Sequence, residues 1–317
     1  MTDGVAIPVA DHDPPIEARG DYGAVLRPVW WRDVLRDVHP VDRSPVYRSA
    51  PEATSGDGDA PPLVLLHGVG NDGSIYAPIM SSLAEHTPVI APTMSPDLLR
   101  DLGPRRTDVS AKLVDWLSAL TPPPWRIVGH SMGGVLTGLI LRYRPELVTG
   151  AVLLNSPLPD ITRRIREGDR LDRSGRALLM LKALARFTVL GRPRLPRLLR
   201  GPELVAVRLA LGGIVVDPGE LDDRVVSRAV MASRTPDGID FIRLAREIPE
   251  TEWTPFDERP VSIVLGATDP LTPADDLEEV RRRYPAAAIH VLEPCSHFAH
   301  LEQPARTVEI IRDALTS

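Results

Sequence analysis

Short apolar runs alternate along this chain with segments of helical periodicity, and this alternation restricts the folds open to it. Continuous runs that predict buried strands are 63–66, 89–91, 125–128, 151–154, 261–265 and 288–292. Helices are predicted over 76–86, over 107–120 with Thr107 or Asp108 as N-cap, from Ser131 to before Pro145, over 273–284 and from about Pro304. Strands without polar alternation are covered on both faces, and helical crossovers between them require parallel pairing. The expected fold is therefore α/β, with a mostly parallel sheet flanked by helices.

Composition excludes several classes of protein. The chain has 317 residues, 43% of them hydrophobic and 25% charged, which suits one large globular domain or one domain with an insertion and excludes collagen-like, disulfide-rich and disordered classes. No apolar stretch approaches the roughly 18 residues of a membrane span, and the N-terminus is acidic rather than signal-like. Cys295 is the single cysteine, so no internal disulfide forms. A cytoplasmic location is expected.

The strand and helix alternation lapses between residues 157 and 255. Helix-like segments there are separated by Pro and Gly breaks, such as 191–196 and 211–213. The alternation resumes at the strand predicted over 261–265. We therefore expect residues 1–156 and 256–317 to form one core domain, and residues 157–255 to be an inserted helical cap.

The pentapeptide Gly129-His130-Ser131-Met132-Gly133 stands where a predicted strand meets a predicted helix. Its glycines allow a tight backbone turn and a close approach of helix and strand, which would raise Ser131 above the sheet. The helix N-terminus behind Ser131 favours developing negative charge. A serine hydroxyl is a poor nucleophile on its own, so such a site also needs a base and a group that orients the base.

Together with two later motifs, this pentapeptide resembles the α/β-hydrolase family. Residues 295–304, C-S-H-F-A-H-L-E-Q-P, are similar to the family ending G-H-x-x-H-x-x-x-P, with Ser296 replacing the glycine, and residues 266–273, G-A-T-D-P-L-T-P, are similar to G-x-x-D-x-x-x-P. The resemblance covers 61–157 and 260–317. It implies an eight-stranded, mostly parallel sheet with a cap inserted after the sixth strand. The first two strands, antiparallel, would lie near 34–38 and 44–48.

The same resemblance assigns roles to individual residues. Ser131 matches the nucleophile, His297 the general base and Asp269 the acid that orients the base, in the chain order Ser, Asp, His. Residues 67–70, H-G-V-G, follow the strand after which the family builds its oxyanion hole. The backbone N–H groups of Val69 and Met132 are therefore expected to bind the developing oxyanion.

Other polar residues near these motifs have simpler interpretations. His67 is expected to support the oxyanion loop, and His130 to pack within the turn. Cys295 is expected to be a small buried residue beside the base. Asp160 is an alternative acid, because some family members carry the acid after the sixth strand, where Asn155 and Asp160 lie.

Metal and cofactor sites are not indicated. Cys295, His297 and His300 could be drawn as a metal cluster, but no H-E-x-x-H or paired C-x-x-C pattern accompanies them. The sequence also has neither a G-x-G-x-x-G dinucleotide motif nor a G-x-x-x-x-G-K-[ST] phosphate loop. We expect no organic cofactor and no metal ion.

Charge is distributed unevenly along the chain. The net charge of −6 argues against a general nucleic-acid binder. Residues 160–200 contain 11 Arg and one Lys against four acidic residues and so carry +8, which leaves −14 on the remainder. This segment is either a solvated helical surface or a landing surface for an anionic partner. That partner would be coenzyme A, a phosphopantetheine-bearing acyl carrier protein or an acidic membrane face.

The predicted function is that of a serine hydrolase that cleaves a carboxylic ester or thioester of a small acyl compound through an acyl-enzyme. Lactone, amide and carbon–carbon bond cleavage remain open. A non-hydrolytic alternative is cyclisation or acyl transfer in natural-product biosynthesis with the same residues. A third hypothesis is a ligand-binding protein on a hydrolase scaffold.

Overall fold

The computed structural model describes residues 7–8, 35–41, 44–49, 61–69, 71–85, 87–95, 98, 106–157, 208, 211–221, 259–272, 274 and 277–316. Nine strands lie within these ranges: β1 (Ile7–Pro8), β2 (Leu35–Val38), β3 (Pro45–Ser49), β4 (Leu63–Leu66), β5 (Val89–Pro92), β6 (Trp125–His130), β7 (Val148–Leu154), β8 (Val261–Gly266) and β9 (Ala288–Leu292). They form one sheet in the order β1-β2-β3-β5-β4-β6-β7-β8-β9. The α/β class is confirmed.

Six neighbouring strands, from β5 to β9, are parallel, as expected. Strands β1, β2 and β3 lie at one edge of the sheet, and each is antiparallel to its neighbours. The predicted first two strands correspond to β2 and β3. The described sheet has one strand more than the eight expected, because the two-residue β1 pairs with β2.

Six α-helices accompany the strands within the described ranges: α1 (Ala77–Leu83), α2 (Arg106–Ser118), α3 (Met132–Tyr143), α4 (Leu277–Arg283), α5 (Ala299–Glu302) and α6 (Pro304–Thr316). The predicted N-cap of α2 is wrong, because the helix already begins at Arg106 and Thr107 and Asp108 lie in its first turn. Helix α1 is preceded by a 3₁₀ turn over Gly73–Tyr76, in which the Asp72 side chain accepts a hydrogen bond from the Ser74 N–H.

Strand β4 shows how the sheet is covered on both faces. All four of its residues are buried. Val64 and Leu66 pack in one core with residues of α2 and α3, whereas Leu63 and Leu65 pack in a second core with residues of α1 and α6. Each fully buried aliphatic side chain contributes roughly 1.5–3 kcal/mol to folding. The continuous apolar run in the sequence is thus explained by two helix layers.

Most of the predicted cap lies outside the described residues. Of residues 157–255, the structure describes 157, 208 and 211–221, and it does not describe the basic segment 160–200. Within the described part of the chain, no helix is long and apolar enough to cross a membrane.

The polar residues singled out in the sequence lie after the carboxyl ends of parallel strands. His67 follows β4, Ser131 follows β6, Asp269 follows β8 and His297 follows β9. Asn155 follows β7 in the same way. Because these strands are adjacent and parallel, their carboxyl ends meet at one end of the sheet, which is where α/β proteins bind ligands.

Candidate active site

Ser131 occupies a sharp turn between β6 and α3. Its φ is 51° and its ψ is −116°, a conformation that non-glycine residues rarely adopt. The Ser131 N–H donates to the Leu154 carbonyl at 2.9 Å, which holds the turn against β7. Glycine is required at the flanks, because a Cβ on Gly129 would lie 2.4 Å from the Gly133 carbonyl oxygen. The turn therefore holds Ser131 at the carboxyl end of β6.

The loop after β4 packs directly against this turn. A Cβ on Gly68 would lie 2.9 Å from the Cβ of Ser131 and 3.0 Å from Nδ1 of His130. Val69 follows Gly68, so its backbone belongs to the segment in contact with Ser131. Met132 is the first residue of α3, and the first N–H groups of a helix have no carbonyl partner within it.

His67 supports the same loop from inside the protein. It is fully buried, and its Nε2 accepts a hydrogen bond from the Met94 N–H at 2.9 Å. The ring proton is therefore on Nδ1, which donates to the Gly68 carbonyl oxygen at 2.8 Å. These bonds explain the expected structural role of His67.

A buried hydrogen bond joins His297 to Asp269. Nδ1 of His297 lies 2.9 Å from Oδ2 of Asp269, and the two side chains are 5% and 0% exposed. The residues follow adjacent parallel strands, β9 and β8, whose last residues are paired. A carboxylate next to Nδ1 keeps the proton on that nitrogen, so Nε2 carries the lone pair.

Asp269 is held in its charged form. Burial raises the pKa of this carboxyl, but the charge and hydrogen bond of His297 and further hydrogen bonds from Thr272 and Leu271 outweigh it, so the pKa lies below its usual value. Oδ1 accepts from the N–H groups of Leu271 and Thr272 at 2.8 and 3.1 Å, and Oδ2 accepts from the Thr272 hydroxyl. Such a carboxylate can orient His297 and stabilise positive charge on its ring.

Asn155 connects the acid to the segment that carries the histidine. It is fully buried, with a φ of 44°. Its Nδ2 donates to Oδ2 of Asp269 at 3.1 Å and to the Ser296 carbonyl at 2.9 Å, and its Oδ1 accepts from the Ala299 N–H at 3.3 Å. One amide thus fixes the acid and the backbone on both sides of His297.

Three further groups hold the histidine loop, which we define as residues 295–298. Nε2 of His130 donates to the His297 carbonyl at 2.8 Å. The His297 N–H donates to the Ile214 carbonyl at 3.1 Å. The Glu302 carboxylate accepts from the two N–H groups that flank His297, at 3.2 and 3.0 Å. Buried backbone groups need such partners, and here His130 and Ile214 come from distant parts of the chain, whereas Glu302 follows the loop directly.

Ser131 and His297 are not directly hydrogen-bonded to each other. Within the described residues, the ring of His297 is hydrogen-bonded to Asp269 and not to Ser131. The two are connected through His130, which precedes Ser131 and whose ring centroid lies 5.0 Å from that of His297. Catalytic hydrogen bonds are often long in a free enzyme and shorten when substrate binds.

Two more histidines pack beside the site and are kept neutral. Burial, with repulsion from neighbouring histidines, lowers the pKa of His130 well below its usual value and that of His300 to about 3. The ring of His300 lies 4.7 Å from that of His130 and 5.0 Å from that of Tyr76, between centroids. Neither nitrogen of His300 has a hydrogen-bond partner among the described residues. The ring of His300 is thus a packing group, whereas His130 also donates the hydrogen bond to the His297 carbonyl.

Cys295 is a buried thiol in the same loop as His297. It is fully buried, and burial raises the pKa of its thiol to about 12. Across the described ranges, no three His, Cys, Asp or Glu side chains are grouped so as to hold a metal ion. The alternative acid Asp160 lies outside the described residues.

The sequence motifs assign no role to Asn155 or Glu302. Asn155 directly follows the buried strand β7, so its position at this end of the sheet could have been predicted, although its hydrogen-bond partners could not. Glu302 lies within the motif 295–304, but its partners are backbone N–H groups, which no residue pattern specifies.

Comparisons with known proteins agree with this architecture. The model of the alpha/beta hydrolase family matches residues 63–310. An uncharacterized protein of Mycobacterium tuberculosis is 25% identical over 322 residues, covering 90% of this chain and 83% of that protein. Pyrrolizixenacetamide deacetylase of Xenorhabdus hominickii is 26% identical over 272 residues, covering 82% of this chain and 93% of the deacetylase.

The fold is also shared with solved structures. That of a bacterial membrane phospholipase A superposes with a TM-score of 0.64 at 20% identity, covering 90% of this chain and 86% of the phospholipase. At this identity the likeness concerns the fold alone. Because the family model spans most of the sequence and the sheet has the matching class, this protein belongs to the alpha/beta hydrolase family and is a hydrolase-type enzyme.

Proposed function

We propose that the protein hydrolyses a carboxylic ester or thioester through an acyl-enzyme. Ser131 is the nucleophile, His297 the base and then the acid, and Asp269 the orienting carboxylate. The observation that carries the proposal is the buried hydrogen bond of 2.9 Å between His297 and Asp269, at the end of the sheet where Ser131 precedes α3. It leaves the lone pair of His297 on Nε2, the nitrogen that must receive the serine proton.

The first half of the proposed reaction transfers the acyl group to Ser131. Oγ bonds to the substrate carbonyl carbon while its proton passes to Nε2 of His297, and the carbonyl oxygen takes the negative charge. The N–H groups of Val69 and Met132 donate to that oxygen, and the N-terminus of α3 adds positive potential. His297 then gives the proton to the leaving alcohol or thiol as its bond to the carbonyl carbon breaks.

Water completes the turnover. Nε2 of His297 takes a proton from a water molecule whose oxygen attacks the acyl carbon. When the bond to Oγ breaks, the proton returns to Ser131 and the carboxylic acid leaves. In both halves the Asp269 carboxylate, whose pKa lies below its usual value, stabilises the positive ring of His297.

The substrate is proposed to be a small acyl compound selected by the cap over residues 157–255. The charge of +8 on residues 160–200 supports an acyl group presented by an anionic carrier, such as coenzyme A or a phosphopantetheine-bearing protein. The 26% identity to a deacetylase favours an amide as a second substrate class for the same residues.

Covalent labelling with a fluorophosphonate, followed by peptide mapping, tests the nucleophile. We expect one adduct, on the peptide that contains Ser131, and loss of p-nitrophenyl ester hydrolysis in proportion to labelling. An adduct on another residue, or labelling of the Ser131→Ala protein at the wild-type rate, contradicts the assignment.

Variants test the other two roles. His297→Ala and Asp269→Asn are each expected to lower kcat by at least about a thousandfold, since one removes the base and the other changes its tautomer. Asp313→Asn, at an exposed position of α6, is the matched control.

One atom of ¹⁸O in the acid product from labelled water supports hydrolysis, whereas unlabelled product supports cyclisation or acyl transfer. Ligand binding unchanged by Ser131→Ala, without turnover of any ester or amide, supports the non-catalytic alternative.

A further inference from the structure

Residues 211–221, which lie within the predicted cap, contact the histidine loop through backbone groups. The His297 N–H donates to the Ile214 carbonyl at 3.1 Å, and the Val216 N–H donates to Oε2 of Glu302 at 2.8 Å. Ile214 and Val215 are 4% and 3% exposed, so their side chains anchor the segment as well. The segment is therefore bonded to the proposed base itself and to a residue that holds the base.

Glu302 is the common partner of both sides of this contact. Oε1 accepts from the N–H groups of Ser296 and Phe298 at 3.2 and 3.0 Å, and Oε2 accepts from the Val216 N–H. Three donors around one carboxylate are favoured by its negative charge, which strengthens each bond. An amide in this place would present an NH₂ group to donors and could not accept all three bonds.

The position of residues 211–221 and that of His297 are consequently linked. If the segment moves away, the His297 N–H loses its acceptor and Glu302 loses a donor. The Nε2 lone pair of His297 must be held closely for proton transfer, because a displacement of about 1 Å can lower a rate a hundredfold.

We propose that Glu302 is a positioning residue that couples the placement of residues 211–221 to the alignment of His297. The part of this inference that concerns turnover rests on the proposed function, whereas the coupling concerns the contacts themselves. Glu302 acts through His297 and touches no reacting atom.

Two variants break the link from opposite sides. Glu302→Gln replaces the carboxylate by a neutral group of the same shape. Val216→Pro removes the donated N–H at a residue that is 46% exposed, and its matched control Val216→Ala keeps that N–H. Glu309→Gln, whose carboxylate is in an exposed ion pair on α6, controls for loss of a surface charge.

We expect Glu302→Gln and Val216→Pro each to lower kcat for an ester by about tenfold or more, with a smaller change in KM. The double variant is expected to be no slower than the slower single variant, because both substitutions break one link. Val216→Ala and Glu309→Gln should stay within about twofold of wild type. If the losses of the two single variants multiply in the double variant, the residues act independently and the coupling is overturned.

Hydrogen exchange followed by mass spectrometry tests the coupling without substrate. Either single variant should accelerate exchange in peptides covering both 211–221 and 295–298, while the peptide covering α3 keeps its protection. Val216→Pro alters no residue of the histidine loop, so any change of exchange at 295–298 must come through the contact with residues 211–221. Wild-type exchange at 295–298 in this variant overturns the inference, even if Glu302→Gln fails to fold. Coupled exchange without turnover would contradict the proposed function alone, and uncoupled exchange with normal turnover would contradict this inference alone.

Discussion

Asn155 makes three buried hydrogen bonds at the proposed site, although no sequence motif assigns it a role. Asn155→Ala should lower the free energy of unfolding by about 3 kcal/mol and kcat by at least about tenfold. The substitution leaves the Ser296 carbonyl and the Ala299 N–H without the amide, and a buried polar group that loses its partner costs about 1–3 kcal/mol. Chemical denaturation and steady-state kinetics measure the two effects.

Asn155→Gly separates the effect of losing the side-chain amide from the effect of backbone strain. Because the φ of Asn155 is 44°, alanine adds strain there that glycine does not. The glycine variant should therefore be more stable than the alanine variant by about 1 kcal/mol, with the same loss of kcat. Wild-type kcat in Asn155→Gly would mean that the amide does not position His297.

Sequence motifs name only some of the residues at the proposed site. Ser131, Asp269 and His297 each stand in a pattern that sequence analysis can read, and the structure joins two of them directly. Asn155 and Glu302 bond backbone groups whose positions depend on the folded chain. The Ala299 N–H, for example, lies 144 residues from the amide that accepts from it. No local pattern encodes such a contact.

Helix α3 and strand β4 approach so closely that only glycine fits between them. A Cβ on Gly133 would lie 2.0 Å from the Leu66 carbonyl oxygen and 2.9 Å from that of His67. These are backbone atoms that cannot rotate away, so Gly133→Ala should displace the start of α3 and destabilise the protein by about 2–3 kcal/mol. Thermal or chemical unfolding measures the change.

Gly150→Ala in β7 is the matched control for this substitution. Its Cβ would meet a side-chain carbon of Leu315 at 3.1 Å, and that side chain can adjust. We expect a change within about 1 kcal/mol. Equal effects at Gly133 and Gly150 would contradict the steric explanation.

Strands were predicted better than helix ends. Strand β9 has the predicted bounds, and β4 also matches, because runs buried on both faces leave few alternatives. The predicted start of α4 at residue 273 lies outside the described residues, whereas α2 is already helical at Arg106, before its predicted cap. Helix ends depend on local turns and on contacts made after folding, which periodicity does not record.

The molecule as a whole should lose stability on acidification because of its buried histidines. Burial holds the pKa of His130 well below its usual value and that of His300 at about 3, so below about pH 6.5 the unfolded chain binds protons that the folded chain does not. The free energy of unfolding should therefore fall between pH 6.5 and 4, by up to about 1.4 kcal/mol per pH unit for each histidine. The depressed pKa of Asp269 extends the loss to lower pH, since its stabilising effect disappears as pH falls through that pKa.

His300→Phe tests this explanation. The ring nitrogens of His300 have no partner among the described residues, so phenylalanine should keep the packing and reduce the pH slope by about half. Denaturant unfolding from pH 8 to 4 measures the slope. An unchanged slope would exclude His300 as a source of the acid sensitivity.

The uneven charge of the chain predicts a salt effect on some substrates. If residues 160–200, at +8, receive an anionic carrier, turnover of a carrier-bound thioester should fall as salt rises, because ions screen such attraction over about 10 Å. A neutral p-nitrophenyl ester should be turned over at a constant rate. A turnover rate that does not change with salt for either substrate would contradict the landing surface and support the alternative that this segment is a solvated helical surface.

The partners of the histidine loop restrict how this chain can recombine with its relatives. His130, Asn155, Ile214 and Glu302 span the region from 130 to 302, and each bonds a backbone group at or beside His297. In a chimaera with a single crossover between residues 130 and 297, the histidine loop comes from one parent and at least one of its hydrogen-bond partners comes from the other. We therefore expect active chimaeras to take residues 130–302 from a single parent.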